Sequence, residues 1–174
     1  RPRKTMGISG FGTHAHWSYQ IGLFSGERVE GFGSLDGGTF FLAGIGYDFS
    51  SAATGLDRLV WRLDYLYNDP KPGDGAAAPY EHSWATSLLL ARDRFQWVNE
   101  LLYATGISPD AWGFTSLASY DVTDRVQTVF RYHYAHGDDD SLRLQRRYER
   151  EVEVTDGGYG EDYHALYAGL NYYI

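Results

Sequence analysis

The chain has 174 residues, no cysteine and a formal net charge of −8. That length fits one domain, residues 1–174, and that acidity argues against general nucleic-acid or anionic-membrane binding. Without thiols, neither disulfides nor thiolate chemistry enters. No run of about 18 apolar residues encodes a transmembrane helix, which leaves open the strands of a barrel, since they alternate and give no hydropathy peak. The first residues, RPRKTMG, hold neither an initiator Met nor an apolar signal segment, so the chain reads as processed or cut.

A period of two recurs along the chain, the pattern of strands with one apolar face. Thr5–Gly12 is glycine-rich and weak. Trp17–Phe24 sets Trp17, Tyr19, Ile21 and Leu23 against Ser18, Gln20 and Gly22. Thr39–Phe49 carries Phe41, Ala43, Ile45, Tyr47 and Phe49 on one face, and Leu59–Asn68 carries Trp61, Leu63, Tyr65 and Tyr67 against Arg62, Asp64 and Asn68. Ser83–Ala91 is apolar on both faces, so its register is illegible. Phe95–Ala104 offers Phe95, Trp97, Leu101 and Tyr103 against Gln96, Glu100 and Leu102. Trp112–Val122 and Val126–Tyr134 alternate in the same way, the latter setting Phe130, Tyr132 and Tyr134 against Gln127, Arg131 and His133. His164–Ile174 is the last. The total is about nine strands, most near the roughly 9–11 residues that cross a bilayer at a tilt. Pro70, Pro72, Pro79 and Pro109 all fall in connections.

Alternation alone also describes a soluble β-sandwich with one solvated face, such as a ligand- or carbohydrate-binding module. The connections favour the barrel. Along the chain they run short (Thr13–His16), long (Ser25–Gly38), moderate (Ser50–Arg58), long (Asp69–Glu81), short (Arg92–Arg94), moderate (Thr105–Ala111), short (Thr123–Arg125) and very long (Gly137–Asp162), so shorter and longer alternate. Tight turns on one side and long loops on the other mark an outer-membrane barrel. Aromatic residues cluster towards strand ends on the apolar face, where rings favour headgroup depth. The opposite face carries Gln20, Asp48, Arg62, Asp64, Glu100, Arg131 and His133, which suits a water-filled lumen. With short turns periplasmic, an odd strand count starts in an outer loop, so the chain is expected to be part of a larger barrel.

"RPRKTMGISGFGTHAHWSYQIGLFSGE" resembles the mid-barrel segment of the phosphate-selective porin O/P family, with its "GISG"-like strand, short turn and "YQIGLFNGE"-like strand. "FQWVNELLY" resembles the family strand with an inward glutamate, here Glu100; "YDVTDRVQTVFRYHYA" and "YAGLNYYI" resemble later strands. The resemblance implies an all-β, transmembrane, antiparallel up-and-down β-barrel of roughly sixteen strands, of which this chain supplies about nine. It further implies a homotrimer in the outer membrane of a Gram-negative bacterium, embedded in lipid and lipopolysaccharide, passing small anions such as phosphate. A final hairpin that usually follows the "GLNYY" strand is absent.

The expected pore-lining residues are Arg62, Arg131, His133, Asp64, Glu100 and Gln20. Lumen charges set selectivity through an electrostatic barrier. With Asp64 and Glu100 on the same face as the two arginines, a modest anion preference is expected rather than a phosphate filter. His14 and His16 flank a turn but lack further ligands, so no metal site is expected. Asp138–Asp140 lacks the glycine frame of a calcium loop, and "RLQRRYEREVEV" reads as a charged hairpin above the membrane. Gly31-Phe32-Gly33 and Gly157-Gly158 precede no helix and are not phosphate loops. No cofactor and no catalytic constellation is expected.

Overall fold

The computed structural model describes residues 7–25, 39–69, 80–143 and 159–173. Eight consecutive strands form antiparallel pairs in chain order: β1 (Gly7–His14), β2 (Trp17–Ser25), β3 (Thr39–Asp48), β4 (Arg58–Asp69), β5 (His82–Arg92), β6 (Phe95–Thr105), β7 (Ala111–Asp121) and β8 (Val126–Gly137). A 3₁₀ turn at Asp138–Asp140 then leads to a two-residue ladder between β9 (Leu142–Arg143) and β10 (Tyr159–Gly160). Last, β11 (Asp162–Tyr172) pairs with β8 and completes a single nine-stranded up-and-down sheet. β1 and β11 are its edges, and they do not pair with each other. The chain is all-β, with no α-helix among the described residues.

Every ladder is continuous, so parity carries from strand to strand. Trp17 lies opposite Tyr47, Tyr47 opposite Trp61, and Trp61 opposite Leu88. One face thereby gathers Tyr19, Ile21, Leu23, Trp61, Leu63, Phe130 and Tyr132 with all five tryptophans. The other gathers the glycines of β3 and the mid-strand charges. We call them the aromatic and the polar face.

Turn chemistry sets the two rims apart. The β1–β2 and β5–β6 hairpins each need two connecting residues, and Ala15 (φ 52°) and Asp93 (φ 51°) take the left-handed conformation that such tight reversals require. Between β7 and β8, the Thr123 hydroxyl accepts the N–H groups of Arg125 (3.2 Å) and Val126 (3.0 Å). The β3–β4 turn is fastened by Ser50, whose N–H donates to Asp48 at 2.8 Å while its oxygen accepts from the Leu59 N–H at 3.0 Å. These four connections share one rim, and the three longest, 26–38, 70–81 and 138–161, leave from the other together with the five-residue connection 106–110.

The sheet has no interior in the usual sense. Ala111 is the only buried apolar residue among the described ones, and no large side chain is fully buried. The chain exposes 12497 Å², where a folded soluble monomer of its 19.7 kDa exposes about 8,600 Å². Among the described residues no second sheet faces either side, so the two-layer packing of a sandwich is not formed. The buried residues, Gly22, Gly46, Asn68, Ala111, Ser119 and Gly137, all lie on the polar face.

The register predicts its own test in a chain free of native cysteine. Ala85→Cys with Leu102→Cys places two thiols directly opposite on the polar face and should cross-link on mild oxidation, because such positions have Cα atoms about 4.5–5.5 Å apart. Ala85→Cys with Leu101→Cys points the thiols to opposite faces and should not. Mass spectrometry of the oxidised variants distinguishes the two.

Candidate functional site

All six expected lining residues, Gln20, Arg62, Asp64, Glu100, Arg131 and His133, fall on the polar face. They form two groups rather than one. The first spans β2 to β4, where Gln20, Gly44 and Asp64 sit in one cross-strand row. Arg62 grips Asp64 through two parallel bonds, Nε to Oδ2 and Nη2 to Oδ1, both 2.7 Å. Gln20 Nε2 reaches over β3 to donate to Asp64 Oδ1 at 3.0 Å.

That reach exists because residue 44 has no side chain. A Cβ there would stand 2.2 Å from Asp64 Oδ1, 2.8 Å from Arg62 Nη2 and 3.0 Å from Gln20 Cγ. Gly46, two residues on, leaves similar room beside Ser18 and Arg62. Sequence reading passed over Gly44. Two glycines at i, i+2 in a strand were the available signal, since an interior strand glycine marks a close approach. Arg62 is thus tied by a fork-shaped ion pair and is not a lone cation, with about a third of its side chain exposed.

The second group spans β6 to β11. Glu100, Thr115 and His133 share a row, and the Thr115 hydroxyl meets His133 Nδ1 at 2.9 Å. The Arg131 guanidinium lies 4.5 Å from the centre of the Tyr167 ring, a cation–π contact, and His133 meets the same ring edge-on at 5.8 Å. Among the described residues Arg131 has no carboxylate within ion-pair distance. Tyr167 and Thr115 were not foreseen, because β11 joins β8 only after the long connection. Nearer the short-turn rim, Gln127 donates to Asp121 at 2.8 Å and accepts from Asn171 at 3.0 Å.

The aromatic face has its own order. Tyr65, Trp84 and Tyr103 follow one another at ring distances of 5.4 and 5.7 Å towards the long-connection rim, and Trp112, Tyr134 and His164 continue the belt at 4.8 Å each. At the short-turn rim Trp17 meets Tyr47 edge-on at 4.6 Å and Tyr47 meets Phe49 at a tilt at 4.5 Å. Between the belts there is no charged side chain among the described residues. Polar groups there turn to one another: Trp61 Nε1 donates to the Thr86 hydroxyl at 2.9 Å, and that hydroxyl donates to the Arg62 carbonyl at 3.1 Å. Trp97 Nε1 donates to the Ser116 hydroxyl at 2.8 Å. Asn99 is the exception, with no side-chain hydrogen bond among the described residues.

The remaining sequence candidates are spread out. His14 sits at the end of β1, and among the described residues no three His, Cys, Asp or Glu side chains converge on a metal-sized site. Asp138–Asp140 forms the 3₁₀ turn, with Asp139 at φ 56° and Asp140 at φ 52°. Of "RLQRRYEREVEV", Arg143 pairs, with Leu142 before it, into the β9–β10 ladder, while residues 144–158, like Gly31–Gly33, lie outside the described residues. No family model, curated protein or solved structure matches the chain.

Two measurements follow from these contacts. Gly44→Ala should cost about 1–3 kcal/mol by forcing the Asp64 carboxylate aside, whereas Gly10→Ala, whose Cβ meets nothing within 4 Å, should be neutral or stabilising; denaturant unfolding compares them. In the 106–110 connection, hydroxyls of Thr105 and Tyr103 (2.5 Å) bind the Asp110 carboxylate and hold its pKa below the ordinary value. A carboxyl lowered by folding stabilises above its unfolded pKa of about 3.9, and that contribution disappears as pH falls through the lowered folded value. Asp110→Asn should therefore flatten the acid limb of the thermal-midpoint profile and leave its slope near neutrality unchanged.

Proposed function

We propose that this chain is wall from a water-filled diffusion channel of a Gram-negative outer membrane, its aromatic face against lipid and its polar face towards the passage. One observation carries the reading: a charge-free band about 20 Å tall, estimated from six residues at about 3.3 Å each, lies exposed between two aromatic belts. On β6 that band runs from Trp97 to Tyr103. Tyr19, Ile21, Leu23 and Phe130 each expose about half their surface there. In water such a patch would drive association, far exceeding the few hundred square ångströms a monomer tolerates. In a bilayer it is the expected outer wall.

Hydrogen bonding supports the same assignment. Hydrocarbon offers no partners, so polar groups at membrane depth must find them within the protein. The Trp61–Thr86 and Trp97–Ser116 bonds supply them. The passage face has the reverse character, with mid-strand charges Arg62, Asp64, Glu100 and Arg131 balancing to zero. A neutral, polar wall suits general diffusion of small solutes better than a phosphate filter. The short motifs resembling the phosphate-selective porin family agree with a channel, while the trimer and the phosphate preference which that resemblance implies find no carrier among the described residues.

The test compares one arginine on each face in the full-length protein. Leu63→Arg, at the middle of the aromatic face, should weaken folding into lipid vesicles by about 2–4 kcal/mol. Ala85→Arg, opposite Asp64 on the polar face, should leave folding nearly unchanged and alter single-channel conductance in planar bilayers. Equal tolerance of both, or a folded protein that conducts nothing, would defeat the proposal.

A further inference from the structure

We propose that Arg131 and the apolar row beside it form a binding site on the passage wall for small carboxylates that carry an apolar tail. This rests on the channel reading and gives it a solute class, amphiphilic monocarboxylates, with the head at the guanidinium and the tail along the row.

The site follows from register. One cross-strand row on the polar face runs Val60, Leu89, Val98, Leu117, Arg131 and Tyr167, each residue directly opposite the next on the adjoining strand. Four apolar side chains thus stand side by side and lead to one guanidinium. The rows on either side are mainly polar, with Arg62, Ser87, Glu100 and Thr115 in one and Arg58, Gln96 and Ser119 in the other. At about 4.8 Å per strand, Leu117, Val98 and Leu89 extend about 14 Å from Arg131. The four apolar residues are half-buried, so each keeps surface towards the passage, and removing that surface from water is favourable. Beyond Val60 the row ends at Asp48 on β3, five strands and about 24 Å from Arg131, too far to occupy the guanidinium.

The head of the site is a cation with no carboxylate partner among the described residues. The Arg131 guanidinium lies 4.5 Å from the centre of the Tyr167 ring. A ring takes one face of the guanidinium plane and leaves its N–H edge free to donate. Such an edge matches a carboxylate with two parallel bonds, and it stays charged at any working pH. His133 meets the same ring edge-on at 5.8 Å and is itself held by the Thr115 hydroxyl at 2.9 Å, so the ring is braced. Glu100 stands two strands away and in the next row. Arg62, the other mid-strand arginine, is already taken by Asp64. One guanidinium offers inorganic phosphate no more than any other anion. The row beside it rewards only a solute with an apolar body.

The experiment measures block of single-channel current by added carboxylates, with the full-length protein in planar bilayers. Apparent affinity should rise from butyrate through hexanoate to octanoate, about twofold per methylene, since the wall covers one side of the chain. Octylammonium, with the same tail and the opposite charge, should block about tenfold more weakly than octanoate. Arg131→Gln should weaken octanoate block about tenfold. Val98→Asn combined with Leu117→Asn keeps the guanidinium; it should leave butyrate block nearly unchanged and flatten the rise with chain length. Circular dichroism checks that each variant folds, and either one alone tests the site. Equal block by butyrate and octanoate, octanoate block indifferent to Arg131→Gln, a chain-length rise that survives the double substitution, or tighter block by inorganic phosphate would overturn the inference and leave the channel standing. A folded wild-type protein silent in the bilayer would overturn the channel itself.

Discussion

Each strand of the sheet meets its neighbour residue opposite residue, so the face of a side chain is decided by parity, and the decision passes through eight consecutive ladders without interruption. Everything else depends on that continuity. A slip of one residue in the β3–β4 ladder would carry Arg62 and Asp64 to the aromatic face and bring Leu63 and Tyr65 to the polar one. Charged groups would then sit unsolvated on the apolar side, which costs several kcal/mol each in a medium without water. The two faces therefore enforce the register as much as the register creates the faces. Hydrophobic contrast sets it here, where a globular domain would use a packed core.

The division of labour between the faces explains why side chains of the same chemistry behave differently. Two tryptophan N–H groups on the aromatic face, those of Trp61 and Trp97, find hydroxyls on the adjoining strand. Polar-face groups are half-exposed and pair more loosely, with Arg62–Asp64 the firm exception. An exposed pair of this kind contributes little to stability, about 0–1 kcal/mol. Its effect is electrostatic: a bidentate guanidinium–carboxylate pair presents almost no net charge on the polar face.

Much of the fold could be read from the sequence because alternation is a local property. Trp17–Phe24 was expected and Trp17–Ser25 is found. The weak strand expected at Thr5–Gly12 extends instead to His14, since a two-residue turn at Ala15–His16 needs its flanking residues paired. The segment Ser83–Ala91 was illegible, with apolar residues on both faces. Its neighbours resolve it, for Ser87 lies between Arg62 and Glu100 on the polar face. The β9–β10 ladder was read only as a charged hairpin extension. The lining residues could be assigned a face by counting, but their partners could not. Gln20 reaching Asp64 across Gly44 needs three strands in register, and Arg131 beside Tyr167 needs pairing across residues 138–161. Such contacts are products of tertiary alignment, to which a period of two is blind.

Strand direction adds a last constraint. β1 and β11 both run from the long-connection rim to the short-turn rim, because eight reversals separate them. Direct closure of the nine strands would join these edges in parallel. A closure that keeps the antiparallel pattern needs an odd number of further strands between them. Neither edge could stay bare in a bilayer, since every unpaired N–H and C=O there costs several kcal/mol. β1 is poorly suited to stand alone, with glycine at positions 7, 10 and 12 and with Phe11 largely exposed on the polar face. If the proposed barrel closes, its size is set by how many strands complete the turn. A total of about eight strands leaves an interior filled by side chains, while about sixteen to eighteen leave an aqueous channel. On the polar face small residues such as Gly44, Gly46, Ala85 and Ser87 alternate with larger ones such as Leu42, Leu66, Leu89 and Leu102, and in a closed barrel the half-exposed charges of Arg62 and Asp64 would favour the wider ring, which admits water.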